Sequence, residues 1–170
     1  MDVRHHMSRH PVTVEPGDSL HKVQLLMRQG HVRRLPVLDN NRVVGIVTDR
    51  DIWERSPSRV ADSEHPSDQG LMDHLRVMGV MTLQPVTVAP GTSIVDAARL
   101  LRVARVGALL VVEAGELLGI ITKADLIDAL IGAVTAAADA SASSVSEKGP
   151  LAVRRGSSQR TRRAQHEGPN

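Results

Sequence analysis

VVGIVTDRDI, residues 43–52, is written a second time as LLGIITKADL at residues 117–126. In both copies a β-branched or apolar run leads through Gly to Thr-x-x-Asp. That order predicts a strand running directly into a capped helix, because Thr and Asp three apart form a capping box. Working outward, the register holds without a gap. Residues 11–52 align with 85–126 at a constant shift of 74, and 16 of the 42 pairs are identical. PVTVEPGDSL at 11–20 lies over PVTVAPGTSI at 85–94, and upstream Val3 and Met7 lie over Val77 and Met81. The chain is one unit used twice.

Each unit reads strand, helix, strand, strand, helix. PVTV is β-branched and stopped by Pro-Gly. A helix follows from Ser19 or Ser93, with Ser93 and Asp96 as a capping box. Leu20, Val23 and Met27, or Ile94, Ala97, Ala98 and Leu101, fall on one face. Two apolar runs come next, residues 35–38 and 43–47, separated by Asp39-Asn40-Asn41. In the second copy residues 109–112 and 117–121 flank residues 113–115. The last helix starts after Thr48 or Thr122, and in the second copy it continues through Leu126, Ile127, Leu130 and Ile131. One such repeat buries too little surface to be securely stable alone. The expectation is an α/β (α+β) fold of two β-α-β-β-α repeats packed sheet to sheet with pseudo-two-fold symmetry. The boundaries read as repeat 1 at 1–55, linker at 56–74, repeat 2 at 75–132 and a disordered basic tail at 133–170. Residues 56–70 are rich in Ser, Pro, Asp and Glu and read as a loop, and residues 71–78 as a short helix leading into the second copy. Pattern is lost after about Ala133, so the last helix is expected to fray there.

Composition narrows the function classes. Cysteine is absent from the 170 residues, which removes disulfides and thiolate metal sites. The opening stretch MDVRHHMSRHPV has no apolar core, and no apolar run approaches the roughly 18–20 residues of a membrane span. A cytoplasmic protein without a membrane partner is expected. Residues 148–170 carry six basic side chains and one acid, against 15 basic and 18 acidic in the remainder. Trp53 is the only aromatic residue, so the body has no stacking platform for single-stranded nucleic acid. The basic tail could attract nucleic acid, an acidic partner or a membrane surface only unspecifically and in a salt-sensitive way. His5, His6 and His10 lie close in sequence, yet without a paired helical His motif they suggest adventitious metal binding rather than a built site. No nucleophile triad, P-loop or dinucleotide fingerprint is present, so no catalytic residue is assigned and the chain is not read as an enzyme.

Two copies of G-[IV]-[IV]-T-x-x-D, each preceded by an HHMS or VMT leader, PVTV-x-P and a strand turn, resemble the CBS-domain family, named for the regulatory domain of cystathionine β-synthase. The resemblance covers about residues 1–132, and the length is similar to small stand-alone bacterial CBS proteins, including relatives of acetoin-utilisation regulators. It implies a pair of repeats (a Bateman module) with two clefts, commonly a homodimer. It also implies a regulatory ligand, an adenine nucleotide (AMP, ADP or ATP) or S-adenosylmethionine, with no cofactor required.

By the family pattern each cleft takes its Thr and Asp from one repeat and part of its base pocket from the other. The first would use Ile46, Thr48, Arg50 and Asp51 with Val106 and Gly107, and Arg34 matches a position that reaches phosphate. The second would use Ile120, Thr122, Ala124 and Asp125 with Val32 and Arg33. There Ala108 replaces the Arg34 match, and Lys123 or Arg33 would have to substitute, so the first cleft ranks higher. An ionised Asp accepts from both ribose hydroxyls, and a helix N-terminus favours phosphate. The same Thr and Asp also serve simply as helix caps, and the apolar residues as core. The expected function is a sensor signalling to an unidentified partner protein; the alternative is an interaction module with empty clefts.

Overall fold

The computed structural model describes residues 1–55, 70 and 72–146, with side chains described to residue 139. Residues 56–69 and 71 of the linker expected at 56–74, and the tail beyond 146, lie outside the described residues. Residues Met1–Ala133 form one compact unit, and a second begins at Val134.

In the first repeat α1 (Leu20–Gln29) leads to the hairpin β2 (Arg34–Asp39) and β3 (Arg42–Thr48), then to α2 (Asp49–Arg55). The second repeat gives α3 (Ile94–Val103), β6 (Ala108–Glu113), β7 (Glu116–Thr122) and α4 (Lys123–Ser146). Three short strands complete the sheets: β1 (Ser8–Arg9), β4 (Thr82–Leu83) and β5 (Thr87–Val88). Ser19 and Ser93 cap their helices, accepting from the N–H groups of Lys22 at 3.3 Å and Asp96 at 3.1 Å. Leu20, Val23 and Met27 are buried from α1, and Ala97 and Leu101 from α3. Ala98, expected on that face, is exposed; it follows Ala97 by one 100° step and leaves the stripe that Ala97 and Leu101 share.

Both hairpins turn through two residues at positive φ, Asn40 and Asn41 (48° and 62°) in one and Ala114 and Gly115 (52° and 87°) in the other. This is the backbone that matches strand twist in a two-residue loop, and Asn and Gly reach it readily. Each hairpin also carries a bulge: Val37 opposes Gly45 but Leu38 opposes Val43, and Val111 opposes Gly119 but Val112 opposes Leu117. The extra residue, Val44 or Leu118, shifts the alternation, so that Val43 and Ile46 point the same way.

The leaders are exchanged. β1, from the leader of the first repeat, pairs with β7 of the second (Ser8 with Ile120, Arg9 with Gly119). β4, from the leader of the second, pairs with β3 of the first (Thr82 with Ile46, Leu83 with Gly45). The flanking bonds obey the same 74-residue relation: Leu20 N–H donates to Leu75 C=O as Ile94 N–H donates to Met1 C=O, and Val77 N–H donates to Asp18 C=O as Val3 N–H donates to Thr92 C=O. Val3 is fully buried in the core of the second repeat, and Val77 in that of the first. This exchange brings a leader close against Gly119 and Gly45, against backbone at the first and a flexible side chain at the second. A Cβ on Gly119 would stand 2.6 Å from the Ser8 carbonyl oxygen and 2.7 Å from Met7 Sδ; on Gly45 it would stand 2.7 Å from Met81 Sδ.

A third apolar cluster joins the two sheets, with Ala108, Leu110 and Ile120 of the second repeat receiving Val43 and Ile46 of the first. The sheets therefore pack on each other through β3, β6 and β7, with approximate two-fold equivalence of the repeats.

Three expectations are corrected. The PVTV strand shrinks to two residues in the second copy, and in the first to a single parallel bridge between Val14 and Val37. Proline explains the difference: Leu110 N–H donates to Val86 C=O, whereas Pro36, the residue matching Leu110, has no N–H to give to Val12. The expected helix at 71–78 is interrupted. Residues 72–74 are helical, Arg76 bridges to Ser19, and Val77–Gly79 is a 3-10 turn. Finally, α4 extends to Ser146 instead of fraying at about Ala133. Its later residues are rich in alanine and contain neither Gly nor Pro beyond Gly132, which favours continued helix without any tertiary pattern.

Candidate functional site

At each strand-to-helix junction a Thr and an Asp close the same three-bond ring. Asp51 Oδ2 accepts from the Thr48 N–H at 2.8 Å and from the Thr48 hydroxyl at 2.7 Å, and Thr48 Oγ1 accepts from the Asp51 N–H at 3.3 Å. In the second copy the distances are 2.7, 2.8 and 3.4 Å between Thr122 and Asp125. The capping role is thus met in full by one carboxylate oxygen. The other, Oδ1, has no protein partner in either copy among the described residues, and both carboxylates are half-buried. An acceptor held rigid by its twin and left open on one side can orient a pair of hydroxyls.

Of the residues expected in the first cleft, the structure brings several together from both repeats. Arg34 opens β2 directly opposite Thr48 in register, and its guanidinium occupies the space that a Cβ on Gly107 would enter, across the seam between repeats. Arg34 is half-buried and has no carboxylate within ion-pair distance among the described residues. Val106, next to Gly107, packs on the core of the second repeat, while Ile46 packs on the inter-sheet cluster. Arg50 is turned away, exposed and bonded to Glu54 at 2.9 Å one helical turn on.

The second set is less gathered. Ile120 is buried at the inter-sheet cluster. Thr122 and Asp125 close their ring, and Val32 is exposed. Arg33 is directed within its own repeat towards Asp49 at 3.9 Å, with its side chain 82% exposed. Lys123 and Ala124 are exposed on the first turn of α4. Ala108, in the place of Arg34, is buried and carries no charge.

Sequence reasoning missed the leaders. Their exchange sets Ser8 beside Ile120 and Thr82 beside Ile46, so each candidate cleft strand is flanked by a hydroxyl residue of the segment that precedes the other strand set. The signal, Met7-Ser8 over Met81-Thr82, is present in the repeat alignment, but a shift of 74 is satisfied equally by own-repeat and exchanged pairing. A cavity of about 380 Å³ lies at the opposite end of the hairpins, lined by Arg42, Val43, Thr87, Val112 and the Ala114-Gly115 turn, and touches none of the expected site residues. Among the described residues His5, His6 and His10 form no group of three metal-ligating side chains with others, and no helix is long and apolar enough to cross a membrane.

Comparison with known proteins fits this geometry. The CBS-domain family matches at two places, residues 2–52 and 77–132. A CBS domain-containing protein of Dictyostelium discoideum is 32% identical over 131 residues, which is 76% of this chain and 90% of that protein. The crystal structure of a putative acetoin utilization protein (AcuB) from Vibrio cholerae superposes with a TM-score of 0.67 at 26% identity, covering 82% of this chain and 96% of that one. CBSX2, a CBS-pair protein of Arabidopsis thaliana, has been solved in complex with AMP; that structure superposes with a TM-score of 0.64 at 30% identity, over 77% of this chain and 96% of that one. The chain belongs to the CBS-domain family, as a tandem pair of CBS repeats.

Proposed function

We propose that the chain is a regulatory module, not an enzyme, which binds an adenine nucleotide between its repeats and signals occupancy to a partner protein. The observation that carries this reading is the pairing, at one strand end, of a carboxylate oxygen (Asp51) and a half-buried guanidinium (Arg34), the first without a protein partner and the second without a carboxylate among the described residues. A ribose diol and a phosphate are the complementary groups, and the apolar walls suit a base. The AMP complex of CBSX2 supports the same ligand class. Ligand binding alters signalling only if it favours one arrangement of the repeats over another, and a ligand touching both repeats meets that condition. The cytoplasm, where such nucleotides are abundant, is the compartment this reading implies.

The reading includes a homodimer. Trp53 and Ile127, equivalent in the two repeats, are 53% and 57% exposed, and Leu130 and Ile131 of α4 are exposed beside Ile127. This apolar surface on the outer helices favours a second copy. Sedimentation of the native chain should give twice its mass, and a monomer would remove this part of the reading.

Thermal unfolding with AMP, ADP, ATP or S-adenosylmethionine tests ligand binding. A ligand at 100 times its dissociation constant adds about 2.7 kcal/mol, or about 5–10 °C for a chain of this size. The shift should disappear in Asp51→Ala. No shift with any of them at millimolar concentration would favour the alternative, an interaction module with empty clefts.

A further inference from the structure

We propose that the cavity at the turn end of the two hairpins is a second ligand site, separate from the nucleotide cleft, for a zwitterion with a compact apolar body: a free α-amino acid of the leucine or valine kind. The cavity measures about 380 Å³ and takes its walls from both repeats, Arg42 and Val43 from the first and Thr87, Val112, Ala114 and Gly115 from the second. That volume lies within the range of about 300–1,000 Å³ usual for small-molecule sites. Arg42 and Thr48 are the two ends of the seven-residue strand β3, so roughly 20 Å separates Arg42 from the ring of Thr48 and Asp51.

The charges of the site form two poles. Arg42 is exposed, and Asp39 faces it in the ladder. The Asp39 carboxylate accepts from the Asn40 amide at 3.0 Å, and no acid comes within ion-pair distance of the Arg42 guanidinium among the described residues. In the other hairpin the matching pair is Glu113 opposite Glu116, two like charges where an opposite-charge pair would stabilise. Both are exposed, and neither carboxylate has a partner among the described residues. They flank the Ala114-Gly115 turn that forms one wall of the cavity. A guanidinium on one repeat receives a carboxylate, and an ammonium beside the facing glutamates relieves their repulsion. Between the poles the surface is apolar, since Val43 and Val112 belong to the cluster that joins the two sheets.

The repeat offers an internal control. The positions matching Val43, Val112, Ala114 and Gly115 hold Leu117, Leu38, Asn40 and Asn41, every one larger, and Arg42 is matched by Glu116. Both the space and the two poles therefore belong to one side of the molecule. The small side chain at 114 is kept at a conformational cost. Ala114 stands at φ 52°, which suits Asn better than Ala, and a Cβ on Gly115 would meet nothing within 4 Å.

Titration of the isotope-labelled full chain with L-leucine and L-valine, read by nuclear magnetic resonance, provides the test. Saturable shifts are expected at the amides of Val43, Thr87, Val112 and Gly115 together, and they should persist in saturating AMP. Isocaproate and isoamylamine, which each keep one of the two charges of leucine, should bind about tenfold more weakly. Arg42→Gln should weaken leucine and isocaproate but not isoamylamine, and Glu116→Gln should weaken leucine and isoamylamine but not isocaproate. Ala114→Asn fills the wall with the residue that its backbone prefers, so it should lose leucine while unfolding at higher urea. All three side chains are exposed, and urea unfolding of each variant checks that it is folded. The inference is overturned by the absence of saturable shifts at these amides, or by equal affinity for leucine and its two analogues. Displacement of leucine by AMP, or undiminished binding in Arg42→Gln and Ala114→Asn, overturns it equally.

Discussion

Adding one methyl group at Gly119 should cost the fold about 2 kcal/mol, and adding one at Gly45 less than half of that. Both glycines sit in the second strand of a hairpin, an interior strand of its sheet, and face an exchanged leader. Left to conformational entropy alone, Gly→Ala in a strand stabilises by about 0.5–1 kcal/mol. Against this stands the contact. At Gly119 the new Cβ would lie 2.6 Å from the Ser8 carbonyl oxygen, a backbone atom of the very strand that pairs with β7, and 2.7 Å from Met7 Sδ. Relief requires β1 to move away, weakening its ladder and the seating of Val3, which is fully buried close behind it. Overpacking of this kind costs about 1–3 kcal/mol. At Gly45 the near atom is Met81 Sδ at 2.7 Å, the flexible end of a side chain, and the backbone oxygen of Thr82 stands back at 3.1 Å. Methionine can rotate aside. Urea unfolding with a common slope reads the two losses, and thermal unfolding should fall by about 4–8 °C for Gly119→Ala. Equal losses, or a larger loss at Gly45, would refute the argument that the leaders fix these positions.

Ala114 occupies the left-handed region at φ 52°, where Asn40 stands in the other hairpin, so Ala114→Asn should raise stability by up to about 1 kcal/mol, seen as a later midpoint in urea. The Asp18 carboxyl has a lowered pKa: partial burial pushes it up, but the Glu15 N–H at 2.9 Å, the Lys22 ammonium at 2.7 Å and the positive charge of Arg76 together bring it below the usual range. Its contribution to stability is present above the unfolded-state value of about 4 and is lost as the pH falls through the lower folded-state value. The stability gap between native protein and Asp18→Asn should therefore be constant at neutral pH and close below about pH 4; a gap that is flat down to pH 2 would contradict this.

Much of the fold was legible because repetition supplies its own check. Ser19 and Ser93 announced their helices by capping chemistry, and Asn40-Asn41 announced its hairpin. What the residues do not encode locally escaped. The alignment of Val3 and Met7 with Val77 and Met81 says that the leaders are equivalent, not which sheet each completes, since a two-fold relation permits both. Val44 and Leu118 look like ordinary strand residues and are bulged only because the partner strand is one residue shorter across them. The first PVTV segment reads as a strand equal to the second, and only the missing N–H of Pro36, on a different strand, shortens it. The same division holds at the candidate site. Thr-x-x-Asp was visible as a cap and is one. The contact of Arg34 with Gly107 joins residues 73 positions apart; the family resemblance named both residues for the first cleft but not their contact, which neither periodicity nor spacing encodes. The turning away of Arg50 to Glu54, and of Arg33 to Asp49, depends on side-chain competition among exposed charges, which sequence leaves open.

The most direct test is a titration of isotope-labelled protein with AMP, read amide by amide through nuclear magnetic resonance. The account predicts saturable shifts at Thr48, Asp51 and the Gly107 amide together, from residues of both repeats, abolished by Asp51→Ala in a protein that still unfolds cooperatively. Shifts confined elsewhere, or none at millimolar AMP, would contradict it.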